Sequence, residues 1–169
     1  MKDRLPLKRH QALVEFSRDH HYGLLLVWKI KQGLANAIDP ERIANYAVFF
    51  FDHDLKKHFS EEESDLFPLL PVDNLLRLQA ENDHTRLTYL IENIRQNKSN
   101  RILLAAFADA LKLHIRFEER ELFEAIQTVL PDINYEINSP GAHKCNSDPD
   151  ADWPDIFWMP ENANTKKEK

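Results

Sequence analysis

His58-Phe59-Ser60-Glu61-Glu62 and His114-Ile115-Arg116-Phe117-Glu118 share one pattern, a Glu four residues after a His. On an α-helix that spacing sets both side chains on one face, about one turn apart. An imidazole and a carboxylate so placed can hold one metal ion. Two such pairs on facing helices can hold two ions, with the carboxylates bridging, as helical bundles do when they build dinuclear sites.

Outward from these segments the chain divides into four helical stretches. The first runs from about Lys8 to Ala37, with Leu13, Phe16, His20, Leu24 and Val27 at three- and four-residue steps. Asp39-Pro40 ends it and opens the second, with Asp39 suited to the N-cap and Pro40 to the first helical position. The second runs to about Leu66 and carries Ala47, Phe51, Asp54, His58, Glu62 and Asp65 on one stripe; Pro68 and Pro71 bracket the turn that follows. The third extends from near Asp73 to about Asn97 (Leu76, Ala80, His84, Leu87, Ile91, Ile94). The fourth extends from about Arg101 to Leu130 (Leu103, Phe107, Ala110, His114, Glu118, Ala125), where Pro131 stops it. The short loops predict an all-α, up-down-up-down antiparallel four-helix bundle over residues 1–130. Residues 131–169 read as an irregular tail. Its Trp153-Pro154-Asp155-Ile156-Phe157-Trp158 is expected to strap onto the bundle or to dock a protein partner, and 162–169 to be disordered.

Counting along the helices tests the metal reading. His20 lies 19 residues before Asp39 and His58 lies 18 after Pro40, so both sit roughly 27–28 Å from that turn. His58 is 10 residues before Pro68 and His84 is 11 after Asp73; His84 is 13 before Asn97 and His114 is 14 after Asn100. Each helix therefore brings one His to a common level, with Glu62 and Glu118 one turn away. A single inward His is commonly a hydrogen-bonded core residue, and buried carboxylates are costly unless paired or metal-bound. Six such groups at one level favour a metal site, with imidazole and carboxylate donors suited to Fe, Mn or Zn. His21 is the alternative to His20, which shares the stripe of Phe16 and Leu24. Asp54, one turn before His58, is a candidate acceptor for a ligand imidazole. Glu61, Glu63 and Glu119 are expected to face solvent.

Together these residues resemble the hemerythrin family, specifically its HHE cation-binding domain. The resemblance spans about residues 10–130. It rests on Asp19-His20, on His58 to Glu62 running into Leu66-Phe67-Pro68, on Asp83-His84, and on His114 to Glu118 followed by Leu122-Phe123. It implies a non-haem di-iron centre with His20, His58, His84 and His114 as terminal ligands, Glu62 and Glu118 bridging, and a small diatomic molecule or peroxide as the exogenous ligand. Oxygen-carrying hemerythrins bear two ligand histidines one turn apart on the third helix; here Ala80 stands one turn before His84. Water or a nearby carboxylate such as Glu81 would fill that position. The second pair also lacks the oxygen carriers' His-x4-Asp spacing. An open position favours reactivity or exchange over oxygen storage.

Composition narrows the alternatives. Lys and Arg number 22 against 28 Asp and Glu, a formal charge of −6, which lacks the basic footprint of a nucleic-acid binder. Cys145 is the only cysteine, so no intrachain disulfide forms. With no leader-like apolar stretch at the start, a reducing cytoplasm is the expected setting. No apolar run reaches the length of a membrane span. The functional expectations are O2, NO or peroxide binding or iron handling; an enzyme reducing peroxide or NO at the same centre; and a metal-responsive module using its aromatic tail. A metal-free bundle is opposed by Glu62 and Glu118.

Overall fold

The computed structural model describes residues 9–130 and 148–159, and every regular element among them is helical. A 3-10 turn, Gln11–Leu13, leads into α1 (Val14–Ala35). The second span joins α2 (Pro40–Phe50) to α3 (Lys56–Glu61) through a π-helical turn at Phe51–Leu55. It closes with a second π turn at Glu62–Leu66 and a 3-10 turn at Phe67–Leu69. The third span is α4 (Leu75–Gln96). The fourth joins α5 (Arg101–Phe117) to α6 (Phe123–Val129) through a π turn at Glu118–Leu122.

Side chains at the helix starts fix these limits. The Asp39 carboxylate accepts from the Glu41 amide at 3.0 Å, with Pro40 at the first helical position. Asn74, rather than Asp73, caps α4, accepting from the Leu76 and Arg77 amides, and Asn100 caps α5 in the same way. Each cap satisfies amide donors that a helix start leaves without an internal partner. α1 packs on α5 and on α2, and α4 packs on α5 and on α2, so the four spans enclose one interior. Leu24, read from the sequence as inward, is exposed. The inner face of α1 runs instead through Phe16, His20, Gly23, Leu26, Val27 and Ile30. No helix among the described residues is long and apolar enough to cross a membrane.

Two apolar clusters lie on either side of the histidine level. The larger holds Leu26, Ile30, Ile43, Tyr46, Phe50, Leu87, Ile91, Leu104, Phe107 and Leu111; the smaller holds Leu13, Phe16, Leu66, Phe67, Ala80, Leu122, Phe123 and Ile126. Residues 148–159 complete the larger one. Phe157 and Trp158 are buried in it, and the Trp153 ring lies 4.8 Å from that of Phe49. Gly33 makes room for this contact: a Cβ there would stand 2.7 Å from Ile43 Cδ1 and 2.9 Å from the Phe157 ring. The segment is fastened by a buried cation. Lys29 Nζ donates to the Tyr46 hydroxyl at 2.8 Å and to both Asp150 oxygens at 2.5 Å, and sits 4.2 Å from the centre of the Trp158 ring. Burial draws the Lys29 amine below its usual value while Asp150 opposes that shift. Arg42 adds a two-point ion pair to Asp155 at 2.7 and 3.0 Å. The expected disorder of 162–169 lies outside the described residues, as do His143 and Cys145.

Replacing Trp158 with Ala removes a buried aromatic and the ring beneath Lys29. The unfolding free energy should fall by about 3 kcal/mol or more, lowering the melting temperature by roughly 6–12 °C. Calorimetry of Trp158→Ala checks this; an unchanged melting temperature would show that the segment adds nothing to the core.

Candidate metal centre

The six residues named from the sequence converge. His20, His58, Glu62, His84, His114 and Glu118 are all buried, and the two carboxylates are fully so. His20 points inward from α1, whereas neighbouring His21 is exposed. Their donor atoms fall into two groups that each can hold one cation: His20, His58, Glu62 and Glu118, and His84, His114, Glu62 and Glu118. Within each group the donors lie no more than 4.8 Å apart. Glu62 and Glu118 belong to both. Glu62 Oε1 is 3.1 Å from His58 Nε2 and 3.5 Å from His20 Nε2, while its Oε2 is 3.3 Å from His84 Nε2. Glu118 Oε2 is 3.0 Å from His20 Nε2 and 3.3 Å from His114 Nε2, and its Oε1 is 3.7 Å from His84 Nε2.

The fit to a pair of cations rests on what these atoms lack. Among the described residues, both oxygens of Glu62 and of Glu118 and the Nε2 atoms of His20, His84 and His114 are buried without a directed hydrogen bond. Such orphaned atoms cost free energy in a folded core. Nitrogen and carboxylate donors converging on one point are the set that Fe, Mn or Zn takes, so the residues fit the metal.

A ring of carboxylates stands against the other nitrogen of each imidazole, three within hydrogen-bond reach and one further off. His20 Nδ1 is 2.7 Å from Glu119, His58 Nδ1 is 3.2 Å from Asp19, His84 Nδ1 is 2.7 Å from Glu63, and His114 Nδ1 is 3.6 Å from Asp83. Each acceptor comes from the neighbouring span, so the ring links all four. Glu119, expected to face solvent, is instead turned against His20; Glu63 is exposed as expected but also reaches His84, and Asp19 joins His58 as an acceptor beyond those foreseen. Glu81 is tied to Arg77 at 2.8 Å and does not join the donor groups, because it lies one residue beyond Ala80 and so about 100° round the helix. The repeated Glu62-Glu63 and Glu118-Glu119 were the available signal: one Glu points inward and the next sideways.

The arrangement is internally two-fold. Asp19 and His20 precede Asp83 and His84 by 64 residues. His58, Glu62, Glu63 and Phe67 precede His114, Glu118, Glu119 and Phe123 by 56. The Phe123 ring stacks on His20 at 5.2 Å and Phe67 on His84 at 5.3 Å, and a π turn begins at each inward Glu. The family model of the hemerythrin HHE cation-binding domain matches residues 8–126, more than two thirds of the chain. The chain belongs to that family. Comparison with curated proteins and with solved structures gives no significant match.

Without a cation, His20, His58 and His84 hold protons more firmly than a free imidazole, beside the buried carboxylates. Burial draws His58 and His84 down, but the Glu62 charge, with Asp19 against His58 and Glu63 against His84, brings both up to about 9. His20 is likewise raised, against its burial, by Glu118, Glu119 and Glu62. Burial would raise Glu62, yet the His58 charge and the close imidazoles of His20 and His84 hold it well below the carboxylate range. Glu119, also opposed by burial, is brought to about 2 by His20 and Arg9.

A group whose folded pKa is raised stabilises the fold below its unfolded value and loses that contribution as pH climbs through the folded value. The metal-free chain should therefore lose thermal stability from about pH 6.5 to about 9, and a flat melting profile over that window would contradict the proton assignment. Glu63→Gln and Glu119→Gln should each weaken metal binding by roughly 10–100-fold, measured by competition with a chromophoric chelator. Glu81→Gln, outside the ring, should bind as the parent does.

Proposed function

We propose that the chain is a carboxylate-bridged di-iron protein that binds a small diatomic ligand or peroxide, or handles iron. In this reading His20 and His58 hold one iron, His84 and His114 hold the other, and Glu62 and Glu118 bridge them. The observation that carries it is the sharing of both buried carboxylates by two otherwise separate imidazole pairs. When bound, two adjacent irons supply redox-active cations that can take an exogenous ligand.

The chain's own residues supply the setting. Phe67 and Phe123 cover His84 and His20 and keep bulk water from the donors. The carboxylate ring fixes which nitrogen of His20, His58 and His84 faces inward. Ala80, buried in the apolar cluster one turn before His84, offers a methyl where a donor would otherwise stand. Each imidazole pair would thus offer a cation the same protein donors, two imidazoles and two shared carboxylates, a set that favours ligand exchange over tight oxygen storage.

Two further expectations belong with this reading: an antiparallel up-down-up-down bundle in a reducing cytoplasm, and a bundle unit ending at 130 with the aromatic tail fastened to it. The alternative, a metal-responsive module docking a partner through that tail, has less support because Phe157 and Trp158 are already committed to the core.

Anaerobic loading with Fe(II), desalting and elemental analysis should return about two irons per chain, and His58→Ala and His114→Ala should each lower that content. Zinc alone, or no metal after loading, would remove the di-iron reading.

A further inference from the structure

The candidate centre is two-fold in its donors but not in its covering. The His20–His58 half is closed on both flanks. Between the first and fourth spans, Arg9 pairs with Glu119 at 2.6 Å and Glu124 at 2.8 Å and lies 5.5 Å from the Phe123 ring, which itself covers His20. Between the first and second spans, the space beside Asp19 and His58 is only about 20 Å3, room for about one water, and Pro149 of the strap helps wall it in.

The His84–His114 half opens outward. A groove of about 820 Å3 runs between the second and third spans, with Phe59, Glu63 and His84 on its walls and Ser60, Thr85 and Thr88 along its length. A smaller opening of about 220 Å3 reaches Asp83 and His114 between the third and fourth spans. The ring carboxylates record the same difference: Glu63 is 49% exposed, against 28% for Asp83, 22% for Glu119 and 19% for Asp19. His84 lines the groove, but its inward Nε2 is buried, and the Phe59 ring lies against it. The Phe59 ring stacks on His84 at 4.0 Å, meets His114 edge-on at 5.6 Å and lies 6.1 Å from His58, so its closest contacts are with the imidazoles of this half.

The geometry points to the groove between the second and third spans as the entrance to the centre, delivering a ligand of a few atoms to the His84–His114 half with the Phe59 ring as its gate. This rests on the metal reading above and adds to it which half exchanges ligand. The groove's chemistry fits a small neutral or singly charged molecule. Arg95 at its mouth is paired with Asp52 at 2.8 Å and with Glu92, leaving Lys56, Glu63 and hydroxyls along the route rather than the cluster of cations that a polyanion needs. A close ring stack admits only what a rotation of Phe59 lets past, which sets the size limit. The second half therefore reacts while the first, behind Arg9 and the strap, keeps its place.

The test uses the full chain loaded with iron, with azide as the probe and its association followed by absorbance of the ferric protein. Iron content is measured first. Thr88→Trp and Ser60→Trp, both at exposed groove positions, should slow azide association by roughly tenfold or more with iron content unchanged, and Phe59→Leu should speed it. Leu113→Trp, at the smaller opening, should leave the rate near that of the parent. Full iron content with parental rates in both groove variants overturns the entrance while leaving the metal reading intact. Slowing by Leu113→Trp alone, or acceleration by Arg9→Ala alone, moves the route to another face and overturns it equally. A chain that takes up no iron overturns both.

Discussion

Two carboxylates with no exposed surface, Glu62 and Glu118, are the constraint on which the rest of this molecule depends. An uncompensated charge in a helical core is among the costliest things a fold can contain. Here the compensation comes from four imidazoles, one per span, and each imidazole stands against a carboxylate of the next span. The consequence is that no span can slide or rotate alone: moving one displaces a donor on its own helix and an acceptor on its neighbour. The aromatic and aliphatic clusters above and below supply the bulk of the stabilisation, but the polar layer between them sets the register.

The π turns belong to the same constraint. An α-helix places successive residues about 100° apart, so in Glu62-Glu63 one side chain meets the centre and the next a neighbouring helix, as His20 and Asp19 do in the regular α1. A π turn begins at Glu62, another at Glu118, and the spans recover regular geometry beyond them. Wide turns of this kind are uncommon, and they concentrate where function demands a particular side-chain direction. The third, at Phe51–Leu55, has no counterpart in the fourth span. It lies on the side of the open groove, where Phe51 lines the wall.

Much of this was legible in the sequence because helix length is arithmetic. Prolines and Asx caps mark the turns, and a fixed rise per residue then brings His20, His58, His84 and His114 to one level without any knowledge of packing. What escaped was whatever depends on a partner far along the chain. Glu63 and Glu119 look like solvated acids until His84 and His20 are seen beside them. Lys29 on a helix reads as a surface cation, and only Asp150, 121 residues away, and the Trp158 ring explain its burial. Leu24 failed for a simpler reason. Its hydrophobicity matched the periodicity, but Gly23 beside it is the residue that α1 presses against α5, where the Ile115 side chain occupies the space a Cβ would need.

A repeated His-x3-Glu-Glu and a repeated Asp-His build two equal halves, and equal donor sets give no reason for one metal position to behave unlike the other. The difference has to come from residues outside the repeat. Arg9, preceding the first helix, and Pro149, following the last, both lie on the first half. The bundle by itself would thus present two similar faces; the segments flanking it cover one and leave the other. In this chain Arg9 and Pro149, which supply none of the donors, leave the His84–His114 pair the more open of the two.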